Sequence, residues 1–161
     1  MDILLDEIDR EILTVLQANG RISNVELSQY INLSPPATLT RVRRLENAGF
    51  IDGYVALVNR SKIGYDMICF VSVTLSIHQV EQVQHFREAM QALPQVLECH
   101  HVTGDYDYFL KIVIKNRDDL EQFLMTKLTP IKGVARIHTS LVLREIKQTT
   151  VMDIPSSTDG D

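Results

Sequence analysis

Apolar residues recur at helical spacing near the start of the chain. From Ile8 onward they fall at i, i+4, i+7 and i+8, which places them on one face of a helix. Asp6 is suited to the N-cap position, and Asn19 with Gly20 is suited to the left-handed backbone conformation that commonly ends a helix. The pattern therefore predicts a first helix over residues 6–19.

Two further helix starts follow closely. Ser23 and Glu26 have the spacing of a capping box and predict a short helix that ends near Ile31. Ser34 is the next N-cap candidate, and Pro35 would occupy the first helical position, where a missing N–H costs nothing. A third helix is therefore predicted from residue 34 to residue 48.

The third helix is predicted to have an apolar inner face and a basic outer face. The inner stripe consists of Leu39, Val42 and Leu45. The outward and N-terminal surface then carries Ala37, Thr38, Thr40, Arg41 and Arg44. Small hydroxyls and arginines suit contact with phosphates and guanine edges. Two short helices joined by a tight turn, the second outwardly basic, predict a helix-turn-helix.

Charge along the chain supports this interpretation. Residues 1–33 hold two basic side chains against six acidic ones, whereas residues 34–45 hold three arginines and no acid. The net charge of −5 argues against wholesale coating of nucleic acid, but a local basic face acts within a screening length of ~10 Å. The alternative is a solvated helix face whose arginines pair with Glu46 or Glu26.

The second half of the chain alternates between strand and helix patterns. A strand is expected over 50–58, and the polar stretch 59–64 marks a boundary. Strands are then predicted over 68–77, 96–103, 108–114 and 134–146, with helices over 80–93 and 118–128. The order βαββαβ is ferredoxin-like, so the expected fold class is α+β. The predicted organisation is a DNA-binding domain 1–52, a linker 53–66, an effector and oligomerisation domain 67–150 and a disordered tail 151–161.

A four-stranded sheet of this type has helices on one face only. In a domain this small, a second copy of the chain is the simplest cover for the other face, which predicts a homodimer. Two recognition helices related by a two-fold axis would read a pseudo-palindromic site in double-stranded DNA.

The segment 103–108 contains a candidate ligand site. Gly104 and Asp105 are adequate for a hairpin turn alone, but Asp105 and Asp107 flank Tyr106 and would also suit an α-amino group. Cys99, His100 and His101 are metal-ligand types, yet neighbours on a strand point to opposite faces. We therefore expect no metal site and no cofactor.

Taken together, these residues resemble the Lrp/AsnC (feast/famine) regulators. The matching runs are 19–28, 33–35, 41–46, 49–51 and 53–54 in the first half, and 98–100, 104–108 and 132–134 in the second. The likeness spans about residues 6 to 150 and implies a winged helix-turn-helix followed by an effector domain. It implies a transcriptional regulator that responds to an amino acid and assembles from homodimers, commonly into an octamer.

Two sets of functional residues are predicted, the first from the helix-turn-helix pattern and the second from the resemblance. The predicted DNA-contacting residues are Ser23, Asn24, Ser34, Pro36, Ala37, Thr38, Thr40, Arg41, Arg43 and Arg44. The predicted effector-contacting residues are Thr103, Gly104, Asp105, Tyr106, Asp107, Thr139, Ser140 and Leu141. In such proteins the pocket forms between dimers, so ligand binding and assembly are linked.

Two other classes of function remain open at this point. Some proteins of similar fold are decarboxylases acting on tetrapyrroles, and His100 with His101 keeps that alternative available. A module that binds a protein partner is the second alternative, and it predicts no salt-sensitive DNA binding. The acidic opening and two cysteines lead us to expect no signal peptide, no membrane association and a cytoplasmic location.

Overall fold

A computed structural model of the chain describes residues 4–76 and 79–155. These residues form two compact units: a first unit of residues 4–57 together with 147–155, and a second unit of residues 58–146. The helices are α1 (Glu7–Ala18), α2 (Asn24–Tyr30), α3 (Pro35–Asn47), α4 (Val80–Ala92) and α5 (Arg117–Gln122). The strands are β1 (Met67–Leu75), β2 (Val96–His101), β3 (Tyr108–Ile114) and β4 (Val134–Leu141). The predicted α+β class is confirmed.

The first unit is a three-helix bundle in which the first two helices begin with the predicted side-chain caps. Asp6 accepts a hydrogen bond from the Asp9 N–H at 2.8 Å, and Ser23 accepts one from the Glu26 N–H at 3.1 Å. Asn32 lies between α2 and α3 with φ of 52°, a conformation that asparagine tolerates better than most residues. The buried core consists of Ile12, Leu13, Leu27, Ile31 and Leu45.

The inner face of α3 is rotated from the predicted stripe. Thr38, expected to face outward, is fully buried and donates its hydroxyl hydrogen bond to the Ser34 carbonyl at 3.1 Å, whereas Leu39 is 39% exposed. Ser34 has the backbone geometry of an N-cap, but its side chain makes no capping hydrogen bond. The prediction that Thr38 contacts DNA is therefore wrong, because its hydroxyl is satisfied inside the bundle.

The strand predicted over 50–58 does not form within the described chain. Residues 51–59 pair with no described strand, and Val55 and Leu57 are each more than four-fifths exposed. Alternating apolar residues favour an extended backbone, but a strand also needs a hydrogen-bonding neighbour. Tyr54 ties this segment to α3 through a 3.1 Å hydrogen bond to Glu46. Burial together with that carboxylate raises the pKa of Tyr54 to about 12.

The C-terminal segment returns to the first unit. The side chain of Gln17 makes two hydrogen bonds to the Met152 backbone, donating to its carbonyl at 3.0 Å and accepting from its N–H at 2.7 Å. Ile154 packs against the three-helix core, and Arg10 donates to the Pro155 carbonyl. Residues 151–155 thus differ from the predicted disordered tail, whose remainder at 156–161 lies outside the described residues.

The second unit is an antiparallel sheet with the strand order β2-β3-β1-β4. Its core is buried between the sheet and the helices, and includes Val71, Val73, Phe86, Leu110 and Phe123. The element order is the predicted βαββαβ. Ile77, predicted as the end of the first strand, lies outside the described residues. Among the described residues, no helix is both long and apolar enough to cross a membrane.

Strand alternation gives the sheet two different faces. Val71 and Val73 point into the core that the helices cover. Phe70 and Phe109 belong to the alternate set and stack on each other with ring centroids 5.3 Å apart. Phe109 is 37% exposed, so an aromatic pair lies on the sheet face opposite the core.

The helix predicted over 118–128 changes character halfway. After α5 the backbone forms a π-helical segment, Phe123–Leu128, in which the Thr129 N–H donates to the Leu124 carbonyl five residues earlier. This wider turn brings Phe123 and Leu128 onto the same buried side, which explains why the segment departs from α-helical spacing.

Candidate functional site

The exposed face of α3 contains a shallow groove of about 490 Å³. Its lining residues are Thr40, Arg43, Arg44, Asn47 and Ala48. Thr40, Arg43 or Arg44, and Asn47 fall at i, i+3 or i+4, and i+7, which is one helix face. Asn47 is not among the predicted DNA-contacting residues, although helical spacing from Thr40 points to it. Hydroxyl, amide and guanidinium groups together provide the donors and acceptors that read base edges.

The start of α3 offers few backbone donors. Pro35 and Pro36 occupy its first two positions and carry no N–H, while the Thr38 N–H already bonds to the Ser34 carbonyl. Helix N-termini commonly bind phosphate through free N–H groups. Here only Ala37 retains one, beside the exposed Ser34 hydroxyl, so most positive potential on this surface must come from arginine side chains.

Ser23 and Asn24, both predicted to contact DNA, are engaged in holding the helix pair. The Ser23 hydroxyl donates to the Glu26 carboxylate at 2.7 Å, and this contact holds the pKa of Glu26 below its usual value. The Asn24 side chain donates to the Pro35 carbonyl at 2.8 Å and so joins the start of α2 to the start of α3. These contacts fix the angle at which α3 is presented.

Arg41 and Arg44 are not the free outward cations that the sequence predicted. Arg41 donates to Asp6 at 2.7 Å and to Asp9 at 2.9 Å, and Arg44 donates to the other oxygen of Asp9. The Arg41 contact lowers the pKa of the Asp6 carboxyl, and Asp6 in turn raises the pKa of Arg41. The alternative of paired arginines was therefore correct for these two residues, but the partners belong to α1 rather than being Glu46 or Glu26.

Arg43 differs from its two neighbours. It is exposed, and within residues 4–76 and 79–155 no carboxylate lies within ion-pair distance of it. Because its charge is not offset by a nearby acid, Arg43 contributes most directly to the potential along the groove.

The predicted effector turn lies between β2 and β3. Thr103, Gly104 and Asp105 are exposed, and Gly104 has φ of 114°, which only glycine adopts without strain. Asp107 is half-buried and braces the turn: its N–H donates to the Val73 carbonyl, and its carboxylate accepts from the Leu75 N–H at 2.7 Å. The two aspartates thus have different environments, one bound to β1 and one facing solvent.

Strand register decides which predicted β4 residues lie near this turn. Val73 pairs with Tyr108 on β3 and with Ile137 on β4, so the turn is level with residues 137 and 138. Tyr106 stacks on His138 with ring centroids 6.5 Å apart. His138 was not predicted as a neighbour of the turn, because it becomes one only through the register of two strands separated in sequence.

Of the three predicted β4 residues, Thr139 is nearest to the turn in register. Thr139 is half-buried opposite Val71, whereas Ser140 and Leu141 are exposed farther along the strand. Adjacent strand residues point to opposite faces, so these three side chains do not converge on the turn of the same chain.

Among the polar side chains of β2, Glu98 and His100 lie in a network with Lys111 of β3. Lys111 donates to Glu98 at 2.9 Å, and the ring of His100 lies 3.2 Å from the same carboxylate. Both contacts hold the pKa of Glu98 below its usual value. Among the residues that the structure describes, no group of three or more histidine, cysteine or acidic side chains could hold a metal ion.

Comparison with known proteins finds two family models that match the chain. Residues 5–52 match a winged helix-turn-helix DNA-binding domain, and residues 68–152 match the Lrp/AsnC ligand binding domain. The leucine-responsive regulatory proteins of Klebsiella pneumoniae and Escherichia coli K12 are each 44% identical to the chain over 144 residues, which is 89% of this chain and 88% of theirs.

Solved structures show the same architecture. A transcriptional regulator of Neisseria meningitidis in complex with L-methionine superposes with a TM-score of 0.89 at 35% identity, covering 94% of this chain and 97% of that one. AsnC of Escherichia coli superposes with a TM-score of 0.84 at 29% identity, covering 92% and 99%. These relatives are transcriptional regulators and not enzymes.

Proposed function

Since the chain belongs to the Lrp/AsnC family of DNA-binding transcriptional regulators, we propose that it binds duplex DNA through the outer face of α3 and that an amino acid held at the 103–107 turn controls this binding. The predicted regulatory function is confirmed, because the relatives named above are regulators and not decarboxylases. The choice of contacting residues, the effector and the assembly are our proposals. The cytoplasmic location also stays a prediction.

The observation that carries the DNA proposal is the groove on α3. We assign base-edge and phosphate contacts to Ser34, Ala37, Thr40, Arg43 and Arg44, and add Asn47. Arg41, Ser23 and Asn24 are assigned supporting positions, because each is already bonded within the helix bundle. Pro36 is exposed at the start of the helix and is assigned only van der Waals contact.

We expect Arg43→Ala to weaken DNA binding by a similar factor on every sequence, because this exposed guanidinium, which pairs with no carboxylate of the described residues, is suited to phosphate. The slope of log affinity against log salt should become shallower by about one. Fluorescence anisotropy over a range of salt concentrations, on a duplex selected by the wild type from a random pool, measures both quantities.

Arg117→Ala is the matched control, since it removes one exposed arginine from the second unit. It should leave the salt slope unchanged. Equal affinities and equal slopes for wild type and Arg43→Ala would remove α3 from the proposed DNA surface.

The effector proposal depends on the different environments of the two aspartates. Asp107 braces the turn against β1, and Asp105 is exposed beside Gly104, where its carboxylate can accept from an α-ammonium group. The methionine complex of the Neisseria relative supports an amino acid of medium size. We place Thr139, Ser140 and Leu141 of a neighbouring dimer around the ligand side chain, because they do not reach the turn of their own chain.

We expect calorimetric titration of the twenty amino acids to identify at least one ligand, and Asp105→Asn to weaken it by about tenfold or more, as for a lost charged hydrogen bond. Ligand binding should also shift the sedimentation coefficient, because a ligand that favours one assembly shifts its population. Asp118→Asn, an exposed aspartate on α5, should bind the ligand as the wild type does. Undiminished affinity in Asp105→Asn would reduce the turn to a structural element.

A further inference from the structure

Asp9 is an acidic side chain that the proposed DNA surface does not use directly. It is fully buried in the first turn of α1, where an isolated carboxylate would be costly. Its Oδ1 atom accepts from Arg41 at 2.9 Å, and its Oδ2 atom accepts from Arg44 and from the Asp6 N–H at 3.2 Å. Both oxygens are therefore committed, and one carboxylate joins two side chains of α3.

The two arginines differ in how much of the side chain stays exposed, and so able to donate hydrogen bonds to DNA, once it is bound to Asp9. Arg41 is 28% exposed and is also bound to Asp6, so it serves to dock α3 on α1. Arg44 is 42% exposed and lines the α3 groove, although its Nη2 atom is bound to Asp9. A guanidinium bound through one nitrogen keeps donors on its remaining N–H groups, and the Arg44 side chain also lines the groove.

A held arginine and a free arginine behave differently at a DNA surface. A free guanidinium follows any nearby phosphate, whereas bidentate contact with a guanine edge needs a fixed plane. Arg43 has the first character and Arg44 the second, although they are neighbours in sequence.

We infer that Asp9 is a specificity-determining positioning residue: its buried carboxylate fixes the plane of the Arg44 guanidinium, so that Arg44 reads a base pair instead of tracking the backbone. This inference rests on the proposed DNA-binding function of α3. It concerns discrimination between sequences rather than affinity for DNA in general.

The test compares two variants that remove the same charge. Asp9→Asn removes the charge and one of the two oxygens that hold Arg41 and Arg44, while Asp6→Asn removes an acid bound to Arg41 but leaves the Arg44 contact intact. Asparagine is a good N-cap, so the Asp6 variant keeps the start of α1. Affinity is measured for the duplex selected by the wild type and for a shuffled duplex of equal length and composition, with the fold checked by circular dichroism.

Both variants should bind the shuffled duplex more tightly than the wild type, because each leaves one more net positive charge near the phosphates. In Asp9→Asn the ratio of selected to shuffled affinity should fall about tenfold, within the range for a lost bidentate base contact. In Asp6→Asn that ratio should stay within about twofold of the wild type, since the charge effect is common to both duplexes. An equal ratio in Asp9→Asn and wild type would overturn the inference.

Arg44→Lys tests whether Arg44 reads a base pair, which the inference requires, if Asp9→Asn does not fold. It keeps the positive charge and one contact with Asp9 but removes the planar fork, so the ratio should again fall about tenfold while shuffled binding is retained. A folded Arg44→Lys protein with an unchanged ratio would overturn the inference. A wild type that enriches no sequence from the random pool would overturn both the inference and the proposed function, and is thereby distinguished from a failure of Asp9 alone.

Discussion

Phe109→Glu is expected to convert the proposed homodimer into a monomer. Phe109 stacks on Phe70 at 5.3 Å on the sheet face opposite the core, where we propose that a second copy packs. An obligate interface of this kind buries upward of ~2,000 Å², and a carboxylate in its centre would lose its hydration without gaining a partner.

Loss of the dimer should weaken operator binding by ~100-fold or more, because two linked recognition helices gain that much from effective concentration. Light scattering at micromolar protein and anisotropy on the selected duplex measure the two effects. Met125→Glu adds the same charge at an exposed position outside the sheet and should remain dimeric. A folded Phe109→Glu protein that scatters as a dimer would show that the partner uses a different surface.

Phe86→Ala is expected to destabilise the second unit by about 3–5 kcal/mol, the range for truncating a large buried aromatic side chain. Phe86 is fully buried on α4 and packs against Tyr108 with ring centroids 4.5 Å apart. Tyr108 directly follows Asp107, so the resulting cavity lies under the end of the effector turn.

Urea denaturation followed by circular dichroism at fixed protein concentration measures this loss, which corresponds to a fall in Tm of at least about 10 °C for a domain of this size. Val80→Ala on the same helix is the control. Val80 is 84% exposed, so its truncation should change stability by no more than about 0.5 kcal/mol. Equal midpoints for Phe86→Ala and wild type would mean that the sheet and α4 do not depend on this contact.

The helices and strands were predicted well because the features that begin them, such as caps and apolar alternation, involve residues that are near each other in sequence. The S-x-x-E spacing at Ser23 and Glu26 gives a capping box in the structure, and Pro35 begins α3 as expected. The same holds for the order of strands and helices in the second unit, where alternation between apolar and polar positions directly reflects one covered face.

The candidate site was predicted less completely because its contacts join distant segments. Thr38 is as acceptable on a helix surface as inside one, and only the docking of α1 decides its burial. A usable signal did exist: Asp6 and Asp9 are three residues apart, as are Arg41 and Arg44, so two complementary pairs can align between two helices. Likewise, His138 joins the effector turn only through the pairing of β4 with β1.

The return of the C-terminal segment to the first unit has a consequence for synthesis on the ribosome. Gln17 is translated early, but its hydrogen-bonding partner Met152 and the packing residue Ile154 emerge only after the whole sheet has been made. Because domains fold as units while the chain is being synthesised, the second unit has all its residues before the first unit has its own. The helices that read DNA are therefore the last part of the nascent protein to acquire their full set of native contacts, even though they are translated first.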